Sequence, residues 1–151
     1  MALTRQGLPA LRTEFTEDNL CARGAYEISP ADGDAEVSLF AAGSEVSMAL
    51  AAKELIEKAG HSARVVSIPC FELFEAESED YRAGIIGDAP VKVAIEAGVR
   101  WGWDSIVGPD GIFIGMHGFG ASAPYLELYK KFGITAEAAA EQALTRVKAL
   151  A

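Results

Sequence analysis

The sequence predicts an α/β layer fold: five strands in a mainly parallel sheet, covered by helices on both faces, with the first strand antiparallel to the second. Three observations lead there. Five short apolar runs of strand length alternate with stretches of helical period. Most of the connections are long enough to hold a crossover helix, which a parallel pair requires. The exception is "PADGD", residues 30–34, which is too short for a crossover and so sets the first strand against the second.

Residues 1–22 mix turn formers and charge without a sustained period, and are predicted to be an extended arm or linker. The domain proper is then residues 23–151. "RGAYEIS" gives the first short strand, ended by the turn cluster. "EVSLFAAG" is the second, rich in branched and aromatic residues with a glycine stop. From Ser44 the period changes: Val46, Ala49, Leu50, Leu55 and Ile56 fall on one helical stripe, closed by Gly60. "SARVVSIP" is the third strand, ended by Pro69. A short helix is expected around Tyr81, and "VKVAIEAG" is the fourth strand. "VRWGWDSIVG" fits a helical turn or two, and "IFIGM" is the fifth strand. Two helices finish the chain. "SAPYLELYKKFG" starts with Ser122 as cap and Pro124 in its first turn. "TAEAAAEQALTRVKALA" has Thr135 as cap and Glu137 early, where the helix dipole favours an acid.

Composition narrows the function classes. Half of the 151 residues are hydrophobic and the formal charge is −9. That acidity repels phosphodiester backbones, so nucleic-acid partners are disfavoured. No signal peptide is seen and no apolar run approaches roughly 18 residues, so no membrane partner is expected. The two cysteines, Cys21 and Cys70, lack metal-ligand spacing and lack a paired histidine. Free, inert thiols in a reducing cytoplasm are the expectation.

The chemistry-bearing residues are then few. Gly43-Ser44 lies where a strand meets a helix, at the end of an open α/β sheet that commonly binds ligands. Ser44 reads first as an ordinary cap and second as part of an anion site at the helix N-terminus. No dinucleotide fingerprint or phosphate loop accompanies it. His117, in the flexible "GMHGFGASAP", has no spaced acid to orient it, and His61 sits in a turn. Glu96 ends a strand and serves either as an acid in chemistry or as a partner of the Ala-Gly turn. Trp101 and Trp103 read as a core edge or an interface. Glu72, Glu75, Glu77, Glu79 and Asp80 read as a solvated acidic loop. No catalytic residue, cofactor site or metal site is expected within this chain.

"LTRQGLP", "RGAYEI", "LFAAGSEVSMALAAKELI", "ARVVSIPCFELFE", "YRAGIIG", "VAIEAG" and "FGASAPYLELYKKFGIT" together resemble, in order, the carboxyl-terminal domain of transketolases, with the linker from the preceding pyrimidine-binding domain attached. The resemblance implies a three-layer α/β/α fold with a five-stranded mixed sheet whose first strand is antiparallel. It implies a parent enzyme, a cytoplasmic homodimer of the pentose phosphate pathway. That enzyme uses thiamine diphosphate and magnesium to move a two-carbon glycolaldehyde unit from a ketose phosphate to an aldose phosphate. It also implies that Arg5 helps to hold the sugar phosphate, as a planar guanidinium does well. Gly7 departs from the family's usual asparagine. The diphosphate-binding motif, activating glutamate and substrate histidines of the family belong to upstream domains. The chain itself is therefore expected to be inactive and structural, supporting the dimer. Two rival readings are a regulatory module binding an anionic effector at Ser44, and the same domain of a sister thiamine enzyme. Of those enzymes, dihydroxyacetone synthase stays open, while the "RQ" arm and "FGASAP" disfavour a dehydrogenase E1 component and deoxyxylulose-phosphate synthase.

Overall fold

The computed structural model describes residue 4 and residues 6–150. Strands β1 (Tyr26–Ser29), β2 (Val37–Ala41), β3 (Ala63–Ser67), β4 (Val91–Val99) and β5 (Ile112–Met116) form one sheet in the order β1-β3-β2-β4-β5. β2 lies at its centre, flanked in parallel by β3 and β4, and all five β2 residues are buried. A strand covered on both faces needs such a continuous apolar run, and "VSLFA" nearly supplies it. Its one hydroxyl is satisfied: Arg64 Nε donates to Ser38 Oγ at 2.8 Å.

Successive strand residues point to opposite faces, which divides the core in two. One face carries Val37, Leu39, Val65, Val93 and Ile95. It is covered by α1 (Val46–Lys58) and α6 (Ala136–Leu150), whose stripes Ala49, Ala52, Ile56 and Ala139, Ala140, Ala143 are small enough for the helices to lie close. The other face carries Phe40, Val66, Ala94 and Phe113. Against it lie residues of α2 (Phe71–Glu75), α3 (Glu79–Ile86) and α4 (Asp104–Val107). α5 (Tyr125–Phe132) precedes α6, and Tyr129 and Phe132 pack at the margin of the first core. The result is three layers.

β1 runs antiparallel to β2, the direction the short connection demanded. Its bonding neighbour, however, is β3, with Tyr26 opposite Ser67 and Glu27 opposite Val66. The loop from Ser29 to Val37 steps over one strand position, which β3 later fills. Two strand spacings amount to about 10 Å, well within the reach of that loop.

Two local expectations are corrected. The acidic stretch after Cys70 is solvated, with Glu72, Glu75, Glu79 and Asp80 exposed, but it is not a loop. It holds α2, with Phe74 buried, and the start of α3, where Tyr81 N donates to the Ser78 hydroxyl at 3.3 Å. Three of its acids have a role: Glu79 and Asp80 sit in the first turn of α3, and Glu77 pairs with Arg23 at 2.6 Å. Ser122 does not cap α5. Pro124 holds the N-cap position with φ −52° and ψ 138°, and no side chain caps that helix. Thr135 does cap α6, accepting from Ala138 N at 3.1 Å.

Candidate functional site at the carboxyl edge of the sheet

β2 and β4 run in register from Val37–Val91 to Ala41–Ile95. The residues just beyond, Gly43–Glu45 after β2 and Glu96 in β4, therefore emerge together at the carboxyl edge. Gly43–Glu45 forms a tight 3-10 turn entering α1. That turn tucks Glu45 inward, leaving it only 3% exposed. A buried carboxylate needs donors, and this one has two. Ser44 Oγ donates to Glu45 Oε1 at 2.8 Å and Tyr129 Oη donates to the same oxygen at 2.5 Å. Tyr129 Oη in turn accepts from Gln6 Nε2 at 3.3 Å. Beside this chain lies an open cleft of about 230 Å³, lined by Gln6, Ala97, Met116, Tyr125, Tyr129 and Phe132 among others.

Electrostatics set the character of the edge. Glu96 is partly buried, and its carboxyl is pushed up to about 7, first by burial and then by the negative Glu45. Tyr129 is also raised, again chiefly by burial. The sign of the Glu96 effect on stability follows by linkage. Its unfolded value is near 4.5, so the folded chain binds the extra proton between pH 4.5 and about 7. Stability therefore falls as pH rises through that window, and the loss is complete above it. Glu96→Gln is expected to leave stability near pH 5 almost unchanged. Near pH 8.5 it should add on the order of 1–2 kcal/mol, after discounting for partial solvent screening. Urea melts of both proteins at the two pH values check this.

The sequence-predicted residues fare differently. Ser44 is at the edge but does not cap α1: no side chain caps either the 3-10 turn or the helix. Its hydroxyl is committed to Glu45. An anion arriving there would meet two acids, so the geometry lends the anion reading no support. Arg5 lies outside the described residues, while its neighbour Gln6 is part of the edge. Glu96 is at the edge as well. His61 is not: its Nδ1 lies 3.1 Å from Glu36 at the opposite end of the sheet. There the Ser62 backbone N–H first, and then His61, hold the Glu36 carboxyl below its usual range. His117 is exposed. Cys21 and Cys70 are free. Among the described residues no group of three or more His, Cys, Asp and Glu side chains converges as a metal site would need.

Glu45, Tyr129 and Gln6 were not singled out by sequence. Tyr129 stands 84 positions from Glu45, and no local pattern joins them. An acid following Gly-Ser at a helix start reads simply as a favourable first-turn charge.

The family model described as "Transketolase-like TK C-terminal domain" matches residues 24–135. A transketolase of Cereibacter sphaeroides is 51% identical over 147 residues, covering 97% of this chain and 22% of the relative. One from Sinorhizobium medicae is 49% identical over 145 residues, covering 95% and 21%. Among solved structures, transketolase from Leishmania mexicana superposes with a TM-score of 0.78 at 38% identity, covering 85% of this chain and 18% of that one. A Pichia stipitis transketolase mutant in complex with xylulose-5-phosphate gives 0.77 at 32% identity, covering 85% and 18%. The chain thus spans about a fifth of the length of the relatives it matches.

Proposed function

The chain belongs to the transketolase C-terminal domain family, and from that premise we propose that it serves as the structural, dimer-supporting domain of a transketolase whose catalytic apparatus lies on upstream domains. The reaction of the whole is transfer of a two-carbon unit between sugar phosphates. The observation that carries this reading is the near-complete match of this chain to only about a fifth of each relative. The described residues do not fit a cradle for thiamine diphosphate and magnesium. The acids at the carboxyl edge face hydroxyl donors and each other, and three converging ligands are lacking among the described residues. No step of the reaction is therefore assigned to them. Two free thiols suit a cytoplasmic setting.

Within this reading the arm contributes Arg5, a planar guanidinium able to hold a sugar phosphate from two sides. Gripping the remote phosphate would orient the reacting carbons without touching them. The Pichia relative's xylulose-5-phosphate complex supports sugar phosphates as the ligand class. With the upstream domains present, Arg5→Ala is expected to weaken use of phosphorylated sugars by about 10- to 150-fold, the equivalent of one charged hydrogen bond, in kcat/KM. Calorimetric titration of the 151-residue chain with thiamine diphosphate and magnesium should show no tight binding. A coupled assay with xylulose 5-phosphate and ribose 5-phosphate should show no turnover. Strong cofactor binding or turnover by the chain alone would overturn the proposal.

A further inference from the structure

The carboxyl edge holds more than a satisfied buried acid. Tyr129 stands between two segments that are otherwise unrelated, Glu45 at the entry of α1 and Gln6 in the arm. A phenol offers one hydroxyl proton and lone pairs that accept. The Glu45 carboxylate accepts, so it takes the proton. Tyr129 is left able only to accept from the arm, and the arm meets it with an amide N–H. The order of donors and acceptors is thus fixed from inside the domain outward: Ser44 and Tyr129 donate to Glu45, and Gln6 donates to Tyr129.

We propose that Tyr129 is a positioning residue for the arm, its hydroxyl fixing the course of the chain at Gln6 along the cleft. A rigid aromatic with two side-chain torsions suits such a pin, since little freedom is lost in holding it. The fixed order has a chemical corollary. The arm must present a donor at position 6, so glutamine is accepted there and its isostere glutamate is rejected. A carboxylate at that point would face the Tyr129 oxygen with no proton to give. It would also add an acid next to Glu45 from the turn before α1, which itself neighbours Glu96 from β4; the titratable side chains lining the cleft with position 6 are Tyr125 and Tyr129 from α5. What the pin does for phosphate gripping rests on the reading of Arg5 given above. The pin itself does not.

The test is NMR backbone relaxation of the 151-residue chain, without phosphate, reading order parameters at Gln6, Gly7 and Leu8. In the unaltered chain these should be near the rigid value of about 0.85, and in Tyr129→Phe they should drop below about 0.6 with the amide shifts of the sheet unchanged. Gln6→Glu should show the same loss near pH 8. Order should return as pH falls and the introduced carboxyl gains a proton to donate, a recovery that Tyr129→Phe cannot make. Gln6→Glu lies in the arm, outside both cores, so it tests the idea even if Tyr129→Phe is poorly folded. Arg5→Ala should leave arm order intact, which separates failure of the pin from failure of the phosphate reading. The proposal is overturned by an arm equally ordered in Tyr129→Phe, by Gln6→Glu docking normally near pH 8, or by an arm already loose in the unaltered chain. It is likewise overturned if Arg5→Ala loosens the arm as much as Tyr129→Phe.

Discussion

Trp103→Ala is expected to destabilise the folded chain by about 3–5 kcal/mol, while Trp101→Ala, two positions away, should change stability by less than about 0.5 kcal/mol. The two indoles look alike in "RWGWD". In the structure Trp103 is 2% exposed and Trp101 92%. Trp103 stands edge-on to Phe71 with ring centroids 5.0 Å apart, within the core layer beneath Phe40, Val66 and Phe113. Its backbone also starts α4, accepting from Ile106 and Val107. Removing the indole deletes the largest fully buried side chain and leaves a cavity that the sheet cannot collapse to fill. For a chain of this length each kcal/mol shifts Tm by about 2–4 °C, so the loss should read as roughly 6–20 °C in a thermal melt. A Trp101→Ala protein that melted equally low would mean that the two environments are wrongly assigned.

Gly24→Ala should cost about 3 kcal/mol or more, against about 1 kcal/mol for Gly33→Ala, measured as midpoints in urea. Both glycines have positive φ, 76° and 81°. That conformation alone accounts for the smaller figure, since a Cβ on Gly33 meets nothing within 4 Å. Gly24 has a second constraint. It ends the 3-10 turn Leu20–Arg23, donating to Cys21 O at 3.1 Å, while its own carbonyl accepts from Cys70 N at 3.1 Å. A Cβ there would run into the backbone of Cys70, Leu73 and Phe74. Backbone cannot swing aside as a side-chain tip can, so α2 would have to lift from β1's entry. Equal losses at the two positions would show that the close approach is relaxed in solution.

Those two substitutions mark where sequence reasoning stops. It found the five strands, because each is a short apolar run bounded by Gly, Pro or polar residues. It found α1 and α6 from their period and the Thr135 cap. It missed α2, because in "FELFEAESED" the acids outnumber the apolar residues, and Phe71 and Phe74 acquire meaning only from Trp103 and Tyr81 packed against them. It placed a cap on Ser44 that the 3-10 turn redirects to Glu45. At the carboxyl edge it saw Ser44 and Glu96 singly, but not the Glu45, Tyr129 and Gln6 that join them.

The sequence by itself determined the class of fold, the direction of the first strand and the family, because periodicity, loop length and ordered motifs are all written along the chain. Only the tertiary structure decided which strand β1 pairs with, which tryptophan is core, and which acid lies beside which hydroxyl. The physical reason is the same for each. Neighbourhood in space is set by how layers pack, and packing joins residues whose separation along the chain carries no local signal.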